Sequence, residues 1–388
     1  MKNFHIGTIT DIPIRLNITL LLFIPVLVWL LAGADQIAAY ATLIEALSPH
    51  EIDTAALQEG NLPWLLGALA AVGLFASVLL HELGHSWTAR YYDIEIVSIT
   101  LWIFGGMAHM KDLPEEWNKE FWIALAGPVT SVLLGVAFLG LLQVLPGGSS
   151  VLLFTLGFLG VINIVLAVFN MLPAFPMDGG RILRALLASR GSYARATQRA
   201  ATLGKFMAIA MAIVGLLAGG PILILVALFV YVAATAESRA TVLRELLRGV
   251  VVRDLMTGDV EPAREDDTVE DLVERIMTER LTSFPVVDSA GEVVGMVSMD
   301  DLRDVAPEDR TRTRADEVMG EAVTIDPDDH AFGALMALSQ GRNRPLVVAR
   351  DGTALGIVTH DDLVRALEVI QGLEPADRKP ELTPDGFA

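Results

Sequence analysis

Six stretches of this chain are too long and too apolar for loops: roughly 16–34, 64–90, 121–145, 151–172, 203–218 and 221–236. Most are near the length that crosses the hydrocarbon core of a bilayer. Lipid offers backbone groups no partners, so such runs must close their hydrogen bonds internally as helices. The first run, Leu16 to Ala34, is long enough to span. It lacks a small-residue cleavage pattern and reads as a retained span. The fifth is short for a crossing.

The rest of the chain is different in kind. Residues 1–250 hold 14 Lys+Arg against 16 Asp+Glu, whereas residues 251–388 hold 14 against 31, which accounts for most of the net charge of -19. A membrane body is therefore followed by an acidic soluble module, and so acidic a surface argues against nucleic acid as a partner. With no cysteine, disulfides, thiolate ligands and cysteine nucleophiles are excluded.

Basic residues between the spans set the orientation. Lys2 and Arg15 precede the first span. Arg90, Lys111 and Lys119 lie between the second and third. Arg181, Arg184, Arg190, Arg195, Arg199 and Lys205 lie between the fourth and fifth, and Arg239, Arg244 and Arg248 follow the sixth. The other connections, 35–63, 146–150 and 219–220, carry none. A six-span arrangement puts every cation on one side, with both termini and the acidic module in the cytoplasm. Between spans two and three, β-branched and aromatic residues 94–110 predict a membrane-associated strand pair. The outer segment 35–62 is expected to include a short surface helix.

Within span two, "HELGH" (81–85) places His81 and His85 four residues apart, on one helical face, with Glu82 between them. A structural role accounts poorly for three ionisable groups on one apolar helix, since each costs on the order of 2.5 kcal/mol or more to insert charged and unpaired. Two imidazoles at this spacing can bind zinc, and the carboxylate can move protons. A third ligand is expected from another span at the same depth. Asp178 qualifies: it follows span four in "NMLPAFPMDGG" (170–180), where Pro173 and Pro176 break the helix near its cytoplasmic end. Asp-Gly-Gly on its own would read as an ordinary turn.

Together, "HELGH", "AGP" (126–128) and "NMLPAFPMDGG" resemble the site-2 protease family of intramembrane zinc metalloproteases. Asn170, Pro173, Pro176, Asp178 and Gly179 match its second motif position by position. The resemblance covers residues 1–236. It implies zinc held by His81, His85 and Asp178, Glu82 as general base, and Asn170 as a residue that holds substrate or stabilises the oxyanion. The small residues of "AGPVTSVLLG" in span three read as close helix packing. Cleavage of a membrane-spanning or membrane-associated protein, as in regulated intramembrane proteolysis, is the implied activity. The strand pair is an expected docking edge for unwound substrate, with prolines at 97–103 as its test. His109 reads as a surface or packing residue.

Residues 251–370 are internally repeated. "VRDLM" ending at Met256 returns as "ADEVM" ending at Met319, and "GMVSMDDL" (295–302) returns as "GIVTHDDL" (356–363). The unit resembles a tandem pair of CBS domains, about 251–307 and 314–370. In that family the hydroxyl of a Gly-x-x-Ser/Thr-x-x-Asp string contacts phosphate and its Asp binds ribose, which points to Ser298, Asp301, Thr359 and Asp362. The resemblance implies a regulatory module, an ATP- or AMP-type ligand, and dimerisation through the pair.

The expected architecture is thus a mainly α membrane protein: a six-span bundle (1–236), a linker (237–250), a cytoplasmic α/β CBS pair (251–370) and a loose tail (371–388). The plasma membrane of a prokaryote is the expected location. The competing reading is a membrane transporter or channel gated by the CBS pair.

Overall fold

The computed structural model describes residues 3–103, 105–111, 116–258, 260–279, 281–340 and 344–373. Two compact units meet between Arg239 and Ala240.

The first unit begins with a hairpin that the apolar runs do not reveal: β1 (Asn3–Ile9) pairs antiparallel with β2 (Ile12–Asn17). Thr10 and Asp11 both take positive φ at the turn, as a two-residue hairpin of the primed type requires. The turn is held by the end of a later helix, since Trp87 Nε1 donates to Thr10 Oγ1 at 3.1 Å. Asn17 then caps α1 (Ile18–Leu31) by accepting from the Thr19 N–H at 3.0 Å.

The expected first span is broken. At 14 residues, α1 is about 21 Å long, short of the roughly 30 Å hydrocarbon core. The chain bends by 72° into α2 (Ala34–Leu47), followed by α3 (Thr54–Leu57). The outer segment expected to include a short surface helix thus holds two helices, the longer of them part of the bent span candidate. Ile37, Ala41 and Ile44 recur at helical spacing on α2 and are fully buried.

Next come α4 (Leu62–Tyr91), β3 (Ile96–Trp102), β4 (Gly105–Met110), α5 (Trp117–Val144) and α6 (Ser150–Asn170), then α7 (Asp178–Ala188), α8 (Tyr193–Leu217) and α9 (Pro221–Leu246). α2 packs on α6, where a β-carbon at Gly157 would come within 2.8 Å of Ile44 Cγ1. Among the described residues, α4, α5, α6, α8 and α9 are each long and apolar enough to cross a membrane, and the bent α1–α2 pair is the sixth candidate. The fifth span is not short. Its first ten residues are polar and basic, which hides them from an apolar reading, yet Ala196, Thr197, Ala200, Ala201 and Gly204 bury one continuous face.

The expected strand pair is half of a sheet ordered β1-β2-β3-β4, in which β2 runs parallel to β3 (Ile14 beside Ile99, Leu16 beside Leu101). Ile12, Ile14, Ile99 and Leu101 bury one sheet face in a core shared with Leu83 and Ala89 of α4. β3 is therefore interior, and β4 is one of the two edges, with β1 at the other.

In the second unit the elements are β5 (Thr257–Gly258), β6 (Ala263–Arg264), α10 (Val269–Glu279), β7 (Ser283–Val287), β8 (Val293–Ser298) and α11 (Met299–Arg303). The second half continues with α12 (Ala315–Val318), β9 (Thr324–Ile325), α13 (Ala331–Gln340), β10 (Leu346–Arg350), β11 (Thr353–Val358) and α14 (His360–Leu373). The repeats exchange strands. β5, which leads the first repeat, joins the second repeat's sheet beside β11, and Gly320, which leads the second, bridges to Met296 of β8. Residues 237–250 are not an extended connector, because α9 runs to Leu246 and Leu247 is buried in the module's second core. Of the expected tail, residues 374–388 lie outside the described residues.

Candidate metal centre

α4 carries His81 and His85 one turn apart, and both are buried. The loop after α6 passes through Pro173 and Pro176 and delivers Asp178 as the first residue of α7. Asp-Gly-Gly is therefore a helix start rather than a free turn. Its glycines let that turn lie on the preceding loop: a β-carbon at Gly179 would stand 2.5 Å from the Met171 carbonyl carbon, and one at Gly180 would stand 2.7 Å from Phe175 N. Any side chain there would displace Asp178.

Asp178 Oδ2 lies 3.0 Å from His81 Nε2 and 3.2 Å from His85 Nε2, and the two Nε2 atoms are 3.2 Å apart. Four ligands held tetrahedrally at zinc's usual 2.0–2.1 Å stand about 3.3 Å from one another. The three donors are close to that spacing.

Helix α5 determines which ring nitrogens are free. His85 Nδ1 donates to the Ile123 carbonyl at 2.6 Å, and His81 Nδ1 bonds the Ser131 hydroxyl at 2.9 Å. With the outer nitrogens so engaged, both Nε2 atoms point inward, toward each other and toward a carboxylate oxygen. Two imidazole nitrogens and a carboxylate oxygen that converge at this spacing can share one cation, so the residues fit a zinc ion. His81, His85 and Asp178 are also the one such metal-ligating group found among the described residues.

Gly127 lies midway between Ile123 and Ser131 on the same face of α5. A β-carbon there would stand 2.6 Å from His81 Nε2 and would also collide with the His85 ring. The small residues of "AGPVTS" thus do more than allow helix packing: two of them place the imidazoles. With Ile123 they stand at 123–127–131, which puts them on one face of α5 but does not say what that face meets.

A cavity of about 280 Å³ opens beside the three donors. Glu82 and Asn170 both line it, so every candidate catalytic residue borders one space. Gly106 of β4 packs on Glu82, leaving only 2.8 Å between an added β-carbon and Glu82 Cδ. Trp102, Met107, Leu166 and Phe229 make the remaining wall largely apolar. His109 is exposed on β4, away from the cluster.

The sequence reading missed a buried ionic group beneath α7. Arg184, counted among the orienting cations, is buried, with Nε donating to Glu120 Oε1 at 2.7 Å and Nη1 to Glu237 Oε1 at 2.5 Å. Its guanidinium also lies 4.9 Å from the ring centres of Phe175 and Tyr193. Helix α7 is thereby tied to α5 and α9 at one end and reaches the histidines at the other.

In the second unit the marker strings have structural duties. Ser298 Oγ donates to Asp301 Oδ2 at 2.6 Å, and Thr359 Oγ1 donates to Asp362 Oδ2 at 2.6 Å. The same carboxylate oxygens accept from the Ser298 and Thr359 backbone N–H groups, fixing the starts of α11 and α14. Asp301 Oδ1 is paired with Arg344 of the other repeat, and Asp362 Oδ1 accepts from Thr257 at 3.3 Å. The glycines that open the strings admit the exchanged strand: a β-carbon at Gly295 would meet Met319 Sδ at 2.5 Å, and one at Gly356 the Thr257 carbonyl carbon at 3.2 Å.

Fold and site together define a membrane metallopeptidase with an attached CBS pair. Residues 69–153 and 148–215 match peptidase family M50, and residues 252–308 and 315–369 match the CBS domain. The zinc metalloprotease MJ0392 of Methanocaldococcus jannaschii is 32% identical over 365 residues, covering 94% of this chain and 95% of that protein. Rip3 of Mycobacterium tuberculosis is 34% identical over 327 residues, 80% and 83% of the two chains. A solved structure, the site-2 protease from M. jannaschii, is 37% identical, covering 61% of this chain and 96% of that one with a TM-score of 0.41. The chain belongs to peptidase family M50: it is an integral membrane zinc metalloprotease of the site-2 protease type, bearing two CBS domains. That membership leaves the transporter reading without support.

Proposed function

We propose that this protein cuts membrane-spanning or membrane-associated proteins within the bilayer, as a step of regulated intramembrane proteolysis. The observation that carries the reading is the convergence of His81, His85 and Asp178, 97 residues apart at the extremes, with one possible ligand atom of each at a common point. These three residues would hold zinc, which supplies Lewis acidity and lowers the pKa of water from about 15.7 to about 7. Glu82, on the cavity wall, takes the proton of the attacking water and passes it to the leaving amine. Asn170, on the same wall, offers its side-chain amide to the substrate carbonyl.

A helical substrate must unwind before its peptide bond is reachable, and its freed backbone groups need partners. The edge strand β4 borders the cavity, and among the described residues no strand pairs with its outer side. The proline test therefore moves from 97–103, which is largely interior β3, to 107–109. Along β4 alternate N–H groups point away from β3. Proline at those positions should reduce cleavage and spare zinc content; normal cleavage would remove strand addition from the mechanism.

The distribution of cations supports a cytoplasmic position for both termini and the CBS pair, in the plasma membrane of a prokaryote. The pair acts as a regulatory module, with an adenine nucleotide of the ATP or AMP type at Ser298–Asp301 and Thr359–Asp362 and with dimerisation through its surface. Ribose hydroxyls would have to displace Arg344 or Thr257 from the two carboxylates. Equilibrium dialysis of the full chain with labelled ATP and AMP tests this, and absence of uptake removes nucleotide from the reading.

The deciding experiment measures zinc content and model-substrate cleavage for the parent, Glu82→Gln and Asp178→Ala. Glu82→Gln should keep zinc and lose cleavage, and Asp178→Ala should lose much of both. Full activity in either variant overturns the assignment.

A further inference from the structure

The turn between α7 and α8 gathers Arg190, Arg195 and Arg199 around a cleft of about 300 Å³. All three are exposed, and among the described residues none of them forms an ion pair, in contrast to Arg184 with its two carboxylates. The orientation preference of membrane proteins requires cations on this side of the membrane, but it does not require three to converge without an acid. Mutual repulsion disfavours that arrangement unless an anion is present.

The local geometry suits an anion. Ser192 is the N-cap of α8, yet its side chain makes no capping bond to the helix. Its hydroxyl instead accepts from Arg195 Nε at 3.0 Å, which steadies the guanidinium. The positive end of the α8 dipole adds to the field of the three side chains.

What continues from the cations selects the kind of anion. Arg195, Arg199, Leu203, Phe206 and Ile213 succeed one another along one face of α8. Leu203, Phe206 and Ile213 are 40%, 66% and 53% exposed, on a helix apolar enough to span. From Arg199 to Ile213 the face extends about 21 Å. A charged end followed by a long exposed apolar strip matches a phospholipid, with a phosphate at the head and acyl chains below it. Free phosphate shares the first feature and has no use for the second.

We propose that the α7–α8 cleft binds the phosphodiester headgroup of an anionic phospholipid, whose acyl chains lie along the Leu203–Phe206–Ile213 face of α8. The site is separate from the metal centre, although α7 begins with Asp178.

The test uses the full-length protein in a neutral detergent, given phosphatidylglycerol, phosphatidylcholine or inorganic phosphate. Native mass spectrometry reads retained lipid, and thermal unfolding reads stabilisation. Phosphatidylglycerol should be retained in preference to phosphatidylcholine and should raise the unfolding midpoint. The triple variant Arg190→Gln/Arg195→Gln/Arg199→Gln should lose retention several-fold with its zinc content intact. The charge-matched control Arg239→Gln/Arg244→Gln/Arg248→Gln should retain lipid as the parent does. Equal retention of the two lipids, equal loss in the control, or unchanged retention in the triple variant each overturns the proposal. So does inorganic phosphate that reproduces the stabilisation and displaces the lipid.

Discussion

A single methyl group at position 127 would stand where the two imidazoles now lie, 2.6 Å from His81 Nε2. Gly127→Ala is thus expected to push the rings off the axis shared with Asp178 while changing little else, because α5 as a whole tolerates alanine well. Zinc content should fall at least several-fold and cleavage with it, while the helix content measured by circular dichroism stays at the parent value. Parental zinc content in this variant would show that α5 has slack the packing does not reveal. Ser131 shows the same economy of position: its hydroxyl bonds His81 Nδ1 and so orients the ring. These residues act by leaving space or orienting a ring, which no metal-ligand motif specifies.

At the scale of elements, the exchange of β5 and the Gly320 bridge makes the two CBS repeats one folding unit. The core around Phe284 and Val286 takes in Ala315, Val347 and Ile357 from the second repeat, so neither half can complete its interior alone. Gly356 is where the exchanged strand presses closest. Gly356→Ala should therefore destabilise the whole module by about 1–3 kcal/mol through overpacking against the Thr257 carbonyl. Denaturant unfolding of the chain should show the module's transition shift as one step. Two transitions, with the first repeat's unmoved, would mean that the repeats fold independently. The Gly-x-x-Ser/Thr-x-x-Asp string is accordingly accounted for by strand exchange and helix starts, whether or not a nucleotide also uses it.

For the first unit taken whole, Arg184 links what the histidines alone cannot. Glu120 from α5 and Glu237 from α9 converge on it, and α7 runs from there to Asp178. Removing one member of a buried ion pair leaves the other charge without compensation, at a cost of about 3–5 kcal/mol. Arg184→Leu should lower the unfolding midpoint and loosen zinc binding together. Restoring the cluster's original net charge with the double variant Arg184→Leu/Glu120→Leu, which leaves only the half-exposed Glu237, should recover much of the stability. A double variant no better than the single one would show that the cluster acts through shape rather than charge.

Helix-forming runs, the spacing of His81 and His85, the Asp178 motif and the duplication were all legible in the chain itself, because each is set by neighbours a few residues apart or by direct repetition. Local reading failed where polarity changed along one helix, as at the start of α8, and where short strands preceded the first apolar run and went unassigned, as with β1 and β2. Tertiary structure alone decided that Ile123, Gly127 and Ser131 face the imidazoles, that Arg184 meets Glu120 and Glu237, and that the repeats trade strands. Those partners lie tens of residues apart or more. Contacts of that kind leave no periodicity in a sequence, since they depend on which faces meet after the helices have formed.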